Sequence, residues 1–322
     1  MAYDLKVFTG STNRTLAEEI CSSLEISLGE AEVSKFPGGE TNVQIGENVR
    51  GNDVYIIQPV CASDGTTPND ALMELLILID AARRASSRRI TAVLPYYGYG
   101  RKDRKDRPRA PITAKLISNL IVTAGARRVL TLDLHAGQIQ GFFDIPVDHL
   151  YSINIFAKYL IEKNLENPVV VTPDVGGVKM ARAYSDLLSA PLAIVDKRRQ
   201  SGDETEVMNV IGDVKGKNVV ITDDLVSTGG SLVEAASVLK EKGAKEISAV
   251  IVHPVLAGQA VQRIDESVLT ELVVSNSIPV PRSAQNGKIT VLSVAPILAE
   301  AIRRIHNDES VSSLFVDSHV EG

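Results

Sequence analysis

The chain has 322 residues, 44% hydrophobic and 23% charged, a balance that belongs to a folded globular protein of about two ordinary domains. Its net charge of −6 excludes general attraction to nucleic acid, so any anion site must be local. Cys21 and Cys61 are too few for a disulfide framework or a Cys-rich metal centre; no run approaches the ~20 apolar residues of a membrane span, the opening Met-Ala-Tyr-Asp-Leu-Lys lacks signal-peptide character, and a cytoplasmic location is expected.

Lys6–Gly10 reads as a short strand and turn, followed by a helix from about Asn13 to Leu24 that turns Leu16, Ile20 and Leu24 inward. Lys35-Phe-Pro-Gly-Gly-Glu40 is then a loop. An aromatic ring beside glycines and a carboxylate suits stacking and hydrogen bonding to a base, although Phe36 by itself reads as a buried core residue. Asp53–Pro59 is the next strand, and the helix after Pro68 carries Leu72, Leu75, Leu76 and Ile79 toward the sheet. The strand Ile90–Leu94 ends in Pro95-Tyr-Tyr-Gly-Tyr-Gly100, after which Arg101 to Arg109 holds six basic and two acidic residues. Such a run alone is a solvated loop, but this one follows the carboxyl end of a strand, where α/β sheets bind anions. Val129–Leu132 leads into Asp133-Leu-His135, a carboxylate and an imidazole suited to hold a metal or touch a polyphosphate.

The second half repeats the alternation. Pro168–Thr172 leads into Pro173-Asp-Val-Gly-Gly177, Leu192–Val195 into Asp196-Lys-Arg-Arg199, Lys217–Thr222 into Asp223–Ser231, and Glu246–Val252 into His253-Pro254. Chemistry concentrates in Asp223-Asp-Leu-Val-Ser-Thr-Gly-Gly-Ser231, which precedes a helix carrying Leu232, Ala235, Ala236 and Leu239 and ending at Gly243. Ser227, Thr228, Gly229, Gly230 and Ser231 can offer amides and hydroxyls to a phosphate at the positive end of that helix. Asp223 and Asp224 repel phosphate but accept hydrogen bonds from sugar hydroxyls, or hold a bridging metal. Together they describe a pocket for a phosphorylated sugar; an ordinary capped turn uses the same residue types. No P-loop is present, because Gly216-Lys217 and Gly287-Lys288 continue into Asn218 and Ile289, and the glycines near Tyr99 lack dinucleotide-fingerprint spacing. The expected architecture is α/β, with two similar domains of mainly parallel strands flanked by helices and a boundary near Asp148–Ile153.

With these loops in hand, the chain resembles the ribose-phosphate pyrophosphokinase family, which makes phosphoribosyl pyrophosphate (PRPP). The resemblance runs from about Leu5 to Phe315. It is carried by Asp133-Leu-His-Ala-Gly-Gln-Ile-Gln-Gly-Phe-Phe-Asp-Ile-Pro-Val-Asp-His149, Tyr97-Gly-Tyr-Gly-Arg-Lys-Asp-Arg104, Pro111-Ile-Thr-Ala-Lys115, Asp196–Arg199, the Asp223 loop, and the end, Leu298–His306 with Ser310-Val-Ser312. It implies two phosphoribosyltransferase-like domains: an ATP-side domain over 1–149, with the tail 306–322 packed on it, and a ribose 5-phosphate-binding domain over 150–305. It implies Mg²⁺-dependent pyrophosphoryl transfer from ATP to the anomeric hydroxyl of ribose 5-phosphate, in a homo-oligomer, a hexamer built from dimers. By the same correspondence Phe36, Glu40, Arg101, Lys102, Asp103 and His135 meet ATP, with Phe36 and Glu40 reaching a neighbouring subunit. Asp223, Asp224 and Ser227–Ser231 hold ribose 5-phosphate. His135 and Asp174 lie near the metal, and Lys197 and Arg199 stabilise the transition state. Inorganic phosphate as activator, or ADP as inhibitor, would meet Arg50, Lys105, Arg109, Gln138, Ser310 and Ser312.

Four positions depart from the family pattern. Gly38 stands where many members have Asp or Asn, and Lys102 replaces a common Gln, which adds a positive charge beside the triphosphate. Ser227 replaces a frequent Asp, and Gly137 a frequent Ser of the regulated members. Two other functions share parts of the pattern. A phosphoribosyltransferase has the same sugar-phosphate loop but consumes PRPP; Asp133–Asp148 and Lys197-Arg-Arg199 speak for the synthetase. A non-catalytic regulatory paralogue could dispense with its cations, yet Arg101, His135, Asp174, Lys197 and Arg199 are all retained.

Overall fold

The computed structural model describes residues 3–199, 206–284 and 287–314, with the side chains of 197–199, 206–208 and 283 outside the described set. The chain divides into two compact units. One comprises the chain up to Tyr151, Ser277–Pro279 and residues 293–314; the other comprises Ser152–Asn276 and Val280–Leu292.

In the first unit β1 (Leu5–Thr9) passes through Asn13 into α1 (Arg14–Ser23), whose first turn is capped by the Asn13 side chain accepting from the Leu16 amide. Leu16, Ala17, Ile20 and Cys21 form the buried stripe of α1, while Leu24 is the half-buried C-cap. A hairpin follows, β2 (Ala31–Lys35) against β3 (Thr41–Ile45), antiparallel with Lys35 opposite Thr41. Its strands carry no fully buried residue, so they lack the apolar run that announces a core strand. β4 (Asp53–Ile57) is buried throughout, as a strand covered on both faces must be. α2 (Pro68–Arg84) starts with a capping box of Thr67 and Asp70 and with proline in its first turn. β5 (Arg89–Leu94), α3 (Thr113–Ala124), β6 (Arg128–Leu132) and β7 (Val147–Leu150) complete the layer. The sheet is wholly parallel, in the order β1-β4-β5-β6-β7. Phe8, Ile56, Leu75, Ile79, Leu94 and Ile117 lie in its core.

The second unit runs α4 (Ile153–Glu162), β8 (Pro168–Thr172), α5 (Val178–Leu187), β9 (Leu192–Arg199), β10 (Glu206–Ile211), β11 (Asn218–Val226), α6 (Gly230–Glu241), β12 (Glu246–Pro254), α7 (Ala260–Glu266), β13 (Glu271–Ser275) and β14 (Ile289–Leu292). Its sheet has the order β10-β9-β8-β11-β12-β13-β14 and is parallel except for β10, which pairs antiparallel with β9. The chain builds from β8 outward through β9 and β10, then returns to the opposite flank of β8 with β11. The reversal between β8 and β11 is a topological switch point, and the crevice at the carboxyl ends of such strands is where α/β sheets take ligands.

The last helix, α8 (Ala295–His306), returns to the first unit, although the sequence correspondence counts it with the second domain up to residue 305. Its buried face of Leu298, Ala299, Ile302 and Ile305 meets α1, and Ser293 Oγ donates to Glu19 Oε2 at 2.5 Å. At its far end Arg89 Nη2 donates both to the His306 carbonyl (3.0 Å) and to the buried Asp53 carboxylate (2.6 Å). A carboxylate with no exposure is retained only when paired, and here the pairing also fixes the helix end. Among the described residues no helix is long and apolar enough to cross a membrane.

Candidate active site

On the first unit the candidate nucleotide residues sit on the hairpin tip and on loops that follow β5 and β6. The tip between β2 and β3 is closed by two backbone hydrogen bonds, Phe36 N to Glu40 O at 2.9 Å and Gly39 N to Phe36 O at 2.8 Å. Phe36 is 53% exposed, so it is not the core residue that its chemistry alone suggests. An exposed aromatic ring on a hairpin tip is free to stack on a base. Glu40 is exposed beside it. At Gly38 a Cβ would meet nothing within 4 Å, so the glycine is not required for space.

The Arg101–Arg109 run leaves β5 through a tight turn. Gly98 cannot carry a side chain, because a Cβ there would stand 2.2 Å from the Val60 carbonyl oxygen. Tyr97 is buried, with its hydroxyl donating to Ala114 O at 2.8 Å. Arg101 and Lys102 are exposed. Lys102 Nζ is turned onto Asp106 Oδ2 at 2.6 Å, and that hydrogen bond holds Asp106 below the usual carboxylate range. The charge that Lys102 adds is thus partly answered within the loop. Asp103 accepts from Gln138 Nε2 at 2.7 Å, tying the run to the turn after β6. In that turn Asp133 is buried with φ 38°, a left-handed conformation uncommon outside glycine, and it turns the chain so that His135 is exposed. Leu134 N donates to His149 Nε2 at 2.9 Å, so that nitrogen is an acceptor. Arg50, Lys105, Arg109, Gln138, Ser310 and Ser312 are all exposed on this unit, with Arg304 Nη1 holding the Ser310 carbonyl at 3.0 Å.

On the second unit the switch point assembles the other group. β11 runs on to Val226 and does not end at Thr222, because Asp223, Leu225 and Val226 remain paired with Ile251, His253 and Pro254 of β12. Asp223 and Asp224 are therefore strand residues, half-buried. Burial, with Asp224 and then Asp174 as like charges, pushes Asp223 well above the ordinary carboxylate range. Asp174 follows β8, which pairs with β11 in the register Val171 to Ile221. It is exposed, and its Oδ1 accepts from Gly177 N at 2.9 Å. Gly177 has no room for a Cβ, which would lie 2.4 Å from Thr172 Oγ1. Ser227 to Ser231 span the gap to α6. The helix N-cap, Gly229, is left-handed (φ 76°), and no side chain caps the helix, so the Asp, Ser and Thr of this stretch are not there as a cap. Leu232, Ala235, Ala236 and Leu239 are all buried.

Two side chains that shape this crevice have no motif to mark them. Arg263, from α7, donates to the Thr228 carbonyl at 3.0 Å and pins the phosphate-type loop. Thr172, fully buried, donates from Oγ1 to the Asp174 carbonyl at 2.7 Å. Helical spacing gives no sign of the first, and the second reads as one more β-branched strand residue. Lys197 and Arg199 lie in β9, and their side chains fall outside the described residues.

Among the described residues no group of three or more His, Cys, Asp and Glu is placed to hold a metal. Mg²⁺ binds through one or two carboxylates plus substrate phosphates and keeps several waters, and Asp174, exposed just after β8, is a carboxylate of that kind. The like charges gathered around Asp223 are a second point of fit.

The chain matches two family models: the N-terminal domain of ribose phosphate pyrophosphokinase over residues 5–125, and the phosphoribosyl synthetase-associated domain over residues 199–316. It is 53% identical to the ribose-phosphate pyrophosphokinase of Wolinella succinogenes, covering 97% of this chain and 99% of that one. To the protein of the same name from Rhizobium meliloti it is 56% identical, over 97% of this chain and 100% of that one. The crystal structure of phosphoribosylpyrophosphate synthetase from Mycobacterium smegmatis superposes with a TM-score of 0.89 at 40% identity, covering 95% of this chain and 99% of that one. The chain belongs to the ribose-phosphate pyrophosphokinase family.

Proposed function

We propose that this protein transfers the pyrophosphoryl group of ATP to the anomeric hydroxyl of ribose 5-phosphate, giving PRPP and AMP for nucleotide biosynthesis. The observation that carries the reading is the β11–α6 junction, where paired carboxylates precede an uncapped helix start at the sheet's switch point, in a chain that matches such enzymes over nearly its whole length.

Asp223 and Asp224 accept hydrogen bonds from the ribose hydroxyls, and the Ser227–Ser231 amides and hydroxyls take the 5-phosphate. Phe36 stacks on the adenine held by a neighbouring subunit and Glu40 accepts from it, while Arg101, Lys102, Asp103 and His135 meet the rest of ATP, the cations facing its phosphates. The anomeric oxygen attacks the β-phosphorus; the bond from that phosphorus to the α,β-bridging oxygen breaks, and AMP leaves with the oxygen. Such a transfer is governed by positioning and by cations at the oxygens that gain charge. Lys197 and Arg199 supply those cations. Mg²⁺, for which Asp174 on the second unit and His135 on the first are each candidate ligands beside the phosphates, would neutralise charge on ATP when bound. The active form is a homo-oligomer, a hexamer of dimers, in the cytoplasm, activated by inorganic phosphate; the acidic net charge supports the absence of a nucleic-acid role.

The test is product analysis with ATP, ribose 5-phosphate and Mg²⁺. Equimolar AMP and PRPP are expected. Loss of PRPP with a free base, or no turnover at all, would replace this reading by a phosphoribosyltransferase or a non-catalytic paralogue.

A further inference from the structure

Three successive carbonyls at the start of the β11–α6 loop are held by one neighbouring segment, the turn from β12 into α7. Val226 O accepts from Leu256 N at 3.2 Å and Ser227 O from Ala257 N at 2.9 Å, and Thr228 O accepts from Arg263 Nη1 at 3.0 Å. In a trans peptide the carbonyl and the amide that follows it point in opposite directions. With these carbonyls turned to the β12–α7 segment, the amides of Ser227, Thr228 and Gly229 are turned away from it. For Ser227 the sheet defines that direction: β11 lies between β12 and β8, so an amide facing away from β12 faces β8, the strand that Asp174 follows. The holding segment is itself strained, since the buried Leu256 has φ 44°, a left-handed value that a bulky residue seldom adopts.

The first two carbonyls are held by backbone amides and the third by a side chain. The Thr228–Gly229 peptide is also the one most free to turn over, because Gly229 has φ 76° and glycine takes positive and negative φ with similar ease. A turned peptide would aim the Thr228 carbonyl, in place of the Gly229 amide, at the ligand side, and a carbonyl oxygen repels the phosphate that an amide attracts. We propose that Arg263 is a positioning residue for the 5-phosphate: by holding the Thr228 carbonyl it keeps the Gly229 amide aimed at the anion. The guanidinium stands on the carbonyl side of that peptide, opposite the donor it orients. Thr228 and Arg263 are both exposed, so removing their bond should leave the fold intact and act on the loop's donors.

The inference rests on the assignment of Ser227–Ser231 to the phosphate of ribose 5-phosphate, and the experiment separates the two. Steady-state kinetics are measured for Arg263→Met, which keeps the aliphatic stem and loses the donors, for Arg263→Lys, which keeps a charged donor, and for Thr228→Val, which removes a hydroxyl assigned to the phosphate. Arg263→Met should raise the KM for ribose 5-phosphate about three- to tenfold and leave the KM for ATP and the melting temperature unchanged. Arg263→Lys should stay close to the parent. At saturating ribose 5-phosphate, residues 226–232 should be less protected from hydrogen exchange in Arg263→Met than in the parent, because one amide no longer faces the phosphate. If Thr228→Val raises the KM for ribose 5-phosphate and Arg263→Met does not, the role given to Arg263 is wrong. If neither variant does, the assignment of the loop to the 5-phosphate fails first. A raised KM with unchanged protection would mean that Arg263 acts through its charge alone, and equal rises for both substrates with a lowered melting temperature would reduce it to an ordinary structural residue.

Discussion

On the first unit the candidate ligand groups are exposed side chains, Phe36, Glu40, Arg101 and Lys102, on a hairpin tip and a turn. On the second they are half-buried carboxylates at a strand end, followed by a loop whose offering is mainly backbone, Ser227 to Ser231. The first arrangement adds little burden to folding, because nothing charged is taken from water. The second gathers Asp223 and Asp224 near Asp174, with burial raising the pKa of Asp223, and a cluster of like charges opposes the folded state until a ligand answers it. Substitutions on the first unit should therefore move binding alone, whereas those at the β8–β11 crevice should move binding and stability in opposite directions.

The largest expected effect belongs to residues that stand outside this contrast. Lys197 and Arg199 are assigned to charge that develops only during transfer, so Lys197→Ala and Arg199→Ala should each lower kcat on the order of a hundredfold or more, with small changes in KM. Rapid-quench measurement of the chemical step gives the check. Normal turnover with weakened affinity would move both residues into the binding group.

Next comes the contrast between substrates. Asp224→Asn removes an ionised acceptor, and a hydrogen bond to a charged group contributes roughly 1.5–3 kcal/mol. Ribose 5-phosphate should bind about tenfold or more weakly while ATP is nearly unaffected. Phe36→Ala should do the reverse, since stacking of a base on an aromatic ring is worth ~1–3 kcal/mol. Calorimetric titration of each ligand alone reads both. Equal losses of the two ligands in Asp224→Asn would instead put that carboxylate on a shared metal.

How much of this was legible in the sequence divides along the same line. Parallel core strands such as β4 and β12 announce themselves by uninterrupted apolar runs, and the buried face of α6 by its spacing. The β2–β3 hairpin does not, since its strands are half-exposed and short. β11 is longer than its apolar run because pairing with β12 continues past Thr222, and no local preference records a partner strand. Chain order suggests that α8 continues the second domain, while its apolar face packs against α1 of the first unit. At the site, the candidate ligand residues are visible as motifs. The supports are not: Arg263 acts through a contact with the distant Thr228 carbonyl, and Thr172 through its side chain's bond to the carbonyl two residues on, which a β-branched strand residue does not announce.

A smaller effect tests the stability side of the comparison. The raised pKa of Asp223 means the folded state holds its proton more tightly than the unfolded one does. Its favourable contribution is complete below the ordinary carboxylate range and is lost as pH rises from there toward about 8. Asp223→Asn should therefore stabilise the ligand-free protein near pH 8 by about 1 kcal/mol, or about 2–4 °C in Tm, and by much less at pH 4. Thermal melts of both proteins at the two pH values measure it, in buffer free of divalent metal and phosphate. A lower Tm at pH 8 would mean that Asp223 is held by partners that welcome its charge.

The smallest effect concerns phosphate on the first unit. Arg50, Lys105 and Arg109 are exposed there, and cations brought together in an assembly repel one another unless an anion lies between them, so bound phosphate should favour the assembled state. Gly137 stands where regulated relatives carry a hydroxyl. A Cβ at this position meets nothing within 4 Å, and no positive φ demands glycine there, so Gly137→Ser introduces the hydroxyl without strain. Gln138 is already committed to Asp103, which leaves the new hydroxyl free to serve the anion. A neutral hydrogen bond contributes about 0.5–1.5 kcal/mol, so Gly137→Ser should lower the phosphate needed for half-activation about two- to tenfold while leaving maximal activity unchanged. Activity and sedimentation across a phosphate titration of both proteins would show it. Full activity and full assembly in the absence of phosphate, unchanged by the serine, would remove phosphate from the account of this chain's regulation.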